Sequence, residues 1–116
     1  MKEKDLLQFL TFIAEEDAQI STIVGFFTNQ LGYDVNIIKK IVNYGVKMNI
    51  LQVIDNDQDQ DLENCFGLQS MDLSEIDWST SNVKNEIHYN DFDYYRKKLF
   101  VSNPKIPHEF MCFTKE

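Results

Sequence analysis

The chain has 116 residues, of which 43% are hydrophobic and 13% aromatic, and its formal net charge is −8. This length suits one hydrophobic core and is too short for two, so we expect a single domain over residues 1–116. No apolar run reaches the roughly 18–20 residues of a membrane span and the first residues lack secretory-signal features, which disfavours a membrane protein and favours a cytoplasmic one.

Two amphipathic helices are predicted at the start of the chain. Asp5 is a suitable N-cap for the first helix, which ends at the acidic residues 15–17. The second helix begins near Asp17 or Ser21 and stops at Gly32, because glycine readily adopts the left-handed conformation that follows many helices. Apolar residues recur at helical spacing in both segments: Leu6, Leu7, Leu10 and Ile13, then Ile20, Ile23, Val24, Phe27 and Leu31.

A third helix is predicted from an N-cap at Asp34 to about Asn49. Its apolar side consists of Ile38, Ile41, Val42, Gly45 and Met48. The opposite side carries five amide and ammonium groups, which we call the polar stripe: Asn36, Lys39, Lys40, Asn43 and Lys47. Such a stripe is typical of a solvated helix face, and it is also compatible with contacts to DNA phosphates and base edges.

The second part of the chain, about residues 50–116, mixes strand and helix patterns. Residues 50–54 form a predicted strand rich in branched side chains, and residues 65–71 form a second strand that could return beside it. The loop between them, residues 55–63, has alternating acids and one apolar residue, Leu62. This pattern predicts a hairpin with an acidic tip.

The remaining elements are a strand, a helix and a final strand. Residues 83–89 alternate as a half-buried strand does, after a possible helical turn within residues 73–78. Asp91 is a suitable N-cap for a fourth helix, and Asn103–Pro104 should terminate it because the residue before proline disfavours helix. Residues 110–113 have strand composition. These patterns leave open whether this part of the chain completes the sheet begun by the earlier strands.

Together the elements predict an α+β fold with an N-terminal three-helix unit over about residues 5–49, a small antiparallel sheet and one further C-terminal helix. In element order, residues 5–71 resemble winged helix-turn-helix domains. The third helix of such domains reads the DNA major groove, so the resemblance implies a transcriptional regulator that contacts DNA through the polar stripe. The acidic loop 55–63 would then occupy the wing, where carboxylates oppose binding to phosphate. We therefore treat DNA binding as the alternative hypothesis.

Negative charge is concentrated in one segment of the chain. Residues 55–93 contain eleven acidic residues and one basic residue, whereas residues 94–116 are net positive. Acidic residues in such numbers can serve only to keep the protein soluble. They also repel phosphate and attract a basic partner. Trp and Tyr side chains are frequent anchors of protein interfaces. The predicted partner-binding surface consists of Asp55, Asp57, Asp59, Asp61, Glu63, Asp72, Glu75, Asp77, Trp78 and Tyr94.

The acidic loop resembles a calcium site only in part. From Asp55 onward, acids at alternate positions match the first ligands of an EF-hand loop. Gln60 stands where the sharp turn of such a loop needs glycine, and Phe66 stands where a bidentate glutamate should close the site. We therefore predict no specific metal site in this loop.

Catalytic constellations are missing from the sequence. Cys65 and Cys112 lie beside phenylalanines and are predicted as reduced core residues. His88 and His108 lack a second histidine at helical spacing, so neither suggests a zinc helix. We expect a protein without catalytic activity or cofactor that docks on a basic protein, such as a nuclease toxin, and inhibits it in the manner of an immunity protein or antitoxin.

Overall fold

A computed structural model describes residues 1–15, 18–55, 74, 76–82 and 84–114. The fold is α+β, as the sequence predicts: helices precede a two-stranded antiparallel sheet, and one further α-helix follows it. Among the described residues, no helix is both long and apolar enough to cross a membrane. The elements are α1 (Glu3–Ile13), α2 (Ile20–Val24, continued by a π-helical segment, Gly25–Gln30), α3 (Val35–Lys47), β1 (Leu51–Asp55), β2 (Asn85–Tyr89), α4 (Phe92–Leu99) and a 3₁₀ helix (His108–Thr114).

The prediction that Asp5 caps α1 is wrong. The first helical residue is Glu3, and the N-cap is Lys2, three residues before Asp5, in an extended conformation. Asp5 instead accepts a hydrogen bond of 2.5 Å from the hydroxyl of Tyr33, which itself accepts the Lys2 N–H at 3.3 Å. The carboxylate therefore ties α1 to the segment before α3.

Helix α2 begins at Ile20 and changes to π-helical geometry at Gly25, a change that the sequence does not predict. Phe27 is fully buried, and its ring packs edge-on against Phe9 of α1 with centroids 5.2 Å apart. The predicted stop at Gly32 is confirmed, because this residue has a φ of 78°. Leu31 is exposed, contrary to its place in the apolar pattern, since it lies at the helix end.

Helix α3 has the predicted N-cap and a clear C-terminal motif. Asp34 accepts a hydrogen bond from the backbone N–H of Asn36 at 2.9 Å. Asn49 follows the helix with a φ of 61°, and the next N–H, that of Ile50, bonds to the Gly45 carbonyl at 2.8 Å, as in a Schellman motif. Met48, predicted on the apolar side, is exposed because it lies beyond the last helical residue.

The sheet joins the two parts of the chain. β1 pairs antiparallel with β2 in a register that sets Leu51 opposite Tyr89 and Asp55 opposite Asn85. The predicted strand at residues 65–71 lies outside the described residues. A strand from the C-terminal half therefore pairs with β1, so residues after 71 contribute to the sheet that begins there.

Helix α4 is capped by Asp91, whose side chain accepts the backbone N–H of Tyr94 at 3.2 Å, as predicted. Its basic residues 96–98 are exposed, while Tyr95 and Leu99 are buried. The helix ends at Leu99, before the predicted stop at the proline.

The predicted strand at residues 110–113 is wrong, because a 3₁₀ helix spans His108–Thr114. Residues three apart lie on one side of a 3₁₀ helix, so Phe110 and Phe113 both face Tyr44 of α3, at 5.9 and 5.3 Å between ring centroids. Cys112 falls on the other side and is exposed, which corrects its prediction as a core residue. The other cysteine lies outside the described residues.

Candidate functional site

Most of the predicted acidic surface lies outside the described residues: Asp57, Asp59, Asp61, Glu63, Asp72 and Glu75. The structure places the backbone of Asp55 at the end of β1. Asp77, Trp78 and Tyr94 are described, and the backbone carbonyl of Asp77 accepts a hydrogen bond from a buried asparagine in the same segment.

That asparagine is Asn82, which follows the serine- and threonine-rich residues 79–81. Its side-chain amide donates to the Asp77 carbonyl at 2.8 Å and to the Asn85 side chain at 2.5 Å, and its oxygen accepts the N–H of Lys84 at 3.1 Å. The backbone carbonyl of Asn82 accepts the backbone N–H of Ser21, at the start of α2, at 3.2 Å. The side-chain hydrogen bonds satisfy the buried amide group, as burial of a polar group requires. The backbone bond to Ser21 fastens the segment before β2 to the helical unit.

Trp78 lies against α3. It lines a surface pocket of about 360 Å³ together with Lys39 and Asn43 of the polar stripe and with Ile76. Ser74, within the possible helical turn, has 3₁₀ conformation, whereas residues 76–78 are irregular. Asp77, between Ile76 and Trp78, is exposed. The structure therefore brings one part of the predicted acidic surface beside the helix predicted to contact DNA.

The polar stripe itself is accessible. Asn36, Lys40, Asn43 and Lys47 are exposed, and Lys39 is half-buried beside the Trp78 pocket. The stripe therefore presents ammonium and amide groups to solvent along α3, with an acidic segment at its border.

Tyr94 lies in a different place from Trp78. It is 44% exposed, and the ammonium of Lys98 lies 4.5 Å from the centre of its ring. It lines a second surface pocket, of about 400 Å³, with Asn90, Asp91 and Asn49, which follows α3. Trp78 and Tyr94 thus line two separate pockets, and the predicted surface is not a single patch among the described residues.

No family model, curated protein or solved structure matches this chain. The function of the chain is therefore inferred from the charge, exposure and chemistry of its side chains.

A stack of tyrosines lies behind Tyr94. Tyr89 and Tyr95 are parallel with centroids 4.5 Å apart, and Tyr94 meets Tyr95 edge-on at 5.0 Å. Burial, followed by the negative charge of Glu109, raises the pKa of Tyr95 to about 12. Burial also raises the pKa of Tyr89. A hydrogen bond to Tyr94 raises the pKa of Lys98. The inner tyrosines therefore stay protonated and serve packing and hydrogen bonding.

The described histidines pair with carboxylates rather than with nucleophiles. His88 Nε2 lies 3.4 Å from a carboxylate oxygen of Glu86, and His108 Nδ1 lies 3.1 Å from one of Glu109. Within the part of the chain that the structure describes, no group of three or more His, Cys, Asp or Glu side chains could hold a metal ion. These pairs give no arrangement of nucleophile, base and orienting group of the kind that covalent catalysis uses.

Proposed function

We propose that this chain is a small acidic binding protein that docks on a basic surface of another protein and inhibits or neutralises that protein, as immunity proteins and antitoxins do. The observation that carries the proposal is the charge of residues 55–93, where eleven acidic residues accompany one basic residue. Asp77, Asp91 and Asp93 belong to this segment and are exposed. A surface of this sign attracts a basic partner at an increased association rate.

The chemistry of the partner follows from that charge. A nuclease binds phosphate through a basic site, so an acidic protein that covers this site excludes the nucleic acid. Trp78 and Tyr94 are the proposed anchors, since both line surface pockets and aromatic side chains dominate many interfaces. Inhibition by occlusion needs no catalytic step and no cofactor, and we place it in the cytoplasm.

The test replaces carboxylates by amides of the same shape. A partner is first isolated by affinity capture, and its association rate is then measured by stopped flow with the wild type and with Asp59→Asn/Asp61→Asn. Because steering depends on charge, we expect the association rate to fall by about threefold to tenfold and its salt dependence to weaken.

The matched control is Glu3→Gln/Glu15→Gln, which removes the same charge from exposed positions outside the acidic segment. We expect this variant to associate at nearly the wild-type rate. Equal rates for all three proteins, or an equal loss in both variants, would contradict docking through the acidic segment.

We also propose a second candidate function, binding of duplex DNA by a winged-helix regulator. The observation in its favour is the exposure of Asn36, Lys40, Asn43 and Lys47 on one side of α3. The acidic segment beside the stripe weighs against it, because carboxylates near phosphate oppose the release of counterions that drives binding.

The DNA hypothesis is tested by titrating a mixed-sequence duplex at low salt with the wild type and with Lys40→Ala/Lys47→Ala. If α3 contacts phosphate, we expect salt-dependent binding that weakens about tenfold or more in the variant. Lys97→Ala/Lys98→Ala on α4 is the control and should bind like the wild type. Absence of wild-type binding would remove this function.

A further inference from the structure

The exposed side of α4 carries acids at one end and bases at the other, the order that the helix dipole favours. Asp91 and Asp93 lie at its start, and Lys97 and Lys98 lie in its last turn; all four are exposed. Within the described chain Asp93 and Lys97 form no ion pair with each other. One end of this surface is therefore acidic and the other end basic, and both charges are available to a partner.

Apolar side chains accompany these charges. Tyr94, Phe100 and Val101 are 44, 47 and 50% exposed. The inward side of the helix consists of Tyr95 and Leu99, which are buried against the core. Exposed aromatic and aliphatic side chains that are bordered by charged groups suit a surface that is covered in an assembly.

A surface that is acidic at one end and basic at the other complements itself under a two-fold rotation. Positions 93 and 97 are four residues apart and lie on one row of the helix surface. If two α4 helices pack antiparallel with the axis level with residue 95, Asp93 of each copy lies opposite Lys97 of the other. A two-fold contact makes every such pair twice, which is the usual symmetry of small homodimers.

From this arrangement we infer that the chain forms a two-fold dimer through antiparallel packing of α4, with a second copy of the same chain as the partner. The eight-residue helix is only about 12 Å long, whereas a standard stable interface covers about 800 Å² on each side. We therefore expect a weak dimer. At about 0.1 M salt, charges more than ~10 Å apart are largely screened, which weakens the repulsion between the two negative copies more than the attraction within the close pairs.

The test is charge reversal followed by mixing. Sedimentation velocity is measured from about 10 µM to about 1 mM protein for the wild type, Asp93→Lys and Lys97→Glu. We expect a concentration-dependent dimer for the wild type and at least tenfold weaker dimerisation for each variant, because each reversal creates two like-charge pairs. An equimolar mixture of the two variants restores both attractive pairs, so it should dimerise like the wild type.

Lys105→Glu is the matched control, because it makes the same charge change at an exposed position outside α4 and should leave dimerisation unchanged. Circular dichroism checks that each variant keeps its helix, since both reversals oppose the helix dipole. A wild type that stays monomeric over the whole range would overturn the inference and leave this surface to a different protein. Failure of the mixture to dimerise would overturn it equally.

Discussion

At the scale of single residues, Gly45 shows how closely α3 approaches the sheet. A Cβ atom placed on this glycine would lie 2.6 Å from Cγ of Leu51 in β1. Leu51 is buried, so its side chain has little room to move aside. The absence of a side chain at position 45 therefore allows α3 and β1 to pack together.

We predict that Gly45→Ala destabilises the protein. Alanine favours helix by up to about 1 kcal/mol, but forcing a methyl group into the contact with Leu51 costs about 1–3 kcal/mol. The expected net loss is about 1–2 kcal/mol in the free energy of unfolding, measured by denaturant titration.

Gly25→Ala provides the comparison. Gly25 has helical backbone angles, and the nearest atom to a Cβ there is the Thr80 methyl carbon at 3.6 Å, an ordinary van der Waals distance. We expect this substitution to be neutral or to stabilise the fold by up to about 1 kcal/mol. Similar losses at both glycines would show that the contact with Leu51 is not the cause.

At the scale of elements, two aspartates that the sequence predicts as N-caps have different roles. Asp34 caps α3, whereas Asp5 lies inside α1 and bonds to Tyr33. The local signal is the same in both cases, an acidic residue before an apolar periodic segment. The extended chain at Lys2 and the distant Tyr33 hydroxyl decide the outcome at α1.

We predict that Asp34→Ala lowers the free energy of unfolding by about 1 kcal/mol, because the Asn36 N–H loses its acceptor. Asp34→Asn keeps a side-chain oxygen at the same place and should stay within a few tenths of a kcal/mol of the wild type. Thermal or chemical denaturation of the three proteins checks this, and an equal loss for asparagine would assign the effect to charge instead of capping.

The polar loop before β2 is another element whose role depends on distant contacts. Asn82 fastens this loop to α2 and β2 through hydrogen bonds at 2.5–3.3 Å. Its composition, rich in serine, threonine and asparagine, predicts a turn and nothing more. The one available sequence signal is an asparagine immediately before a strand, which is too common to identify a buried residue.

At the scale of the whole molecule, the radius of gyration is 14.0 Å, close to the value of about 13.4 Å that a single compact domain of this length should have. One core cluster draws buried residues from all four helices, both strands and the 3₁₀ helix. The described elements therefore share this core, and the single domain over residues 1–116 stays a prediction.

The tyrosine stack connects distant parts of the chain. The hydroxyl of Tyr89 donates to the carbonyl of Leu10 in α1 at 2.7 Å, and that of Tyr95 donates to Glu109 in the 3₁₀ helix at 3.4 Å. The two rings stack on each other between these contacts. The stack therefore links the first helix to the last through β2 and α4.

This stack predicts a loss of stability at alkaline pH. The pKa of Tyr95 is about 12 in the folded chain and about 10 when unfolded, so folding favours the neutral phenol. Its contribution is complete below pH 10 and is lost as the pH rises toward 12. Denaturant titrations across this range should show a steady fall in stability that is shallower in Tyr95→Phe. Stability that stays constant between these pH values would contradict the prediction.

The sequence by itself determined the features that depend on neighbouring residues. These are the positions of α3 and α4 with their caps at Asp34 and Asp91, the end of the second helix at Gly32, the strand near residues 50–54, and the concentration of charge at residues 55–93. Each depends on short-range propensity, on periodicity or on composition.

Only the tertiary structure decided the features that depend on contacts between distant residues. These include the pairing of β1 with β2, the 3₁₀ helix where residues 110–113 have strand composition, and the position of Trp78 beside Lys39. Composition near Phe110 favours a strand, but Tyr44 of α3 contacts two phenylalanines three residues apart. A strand would turn these two side chains to opposite faces, whereas the 3₁₀ helix keeps them on one side.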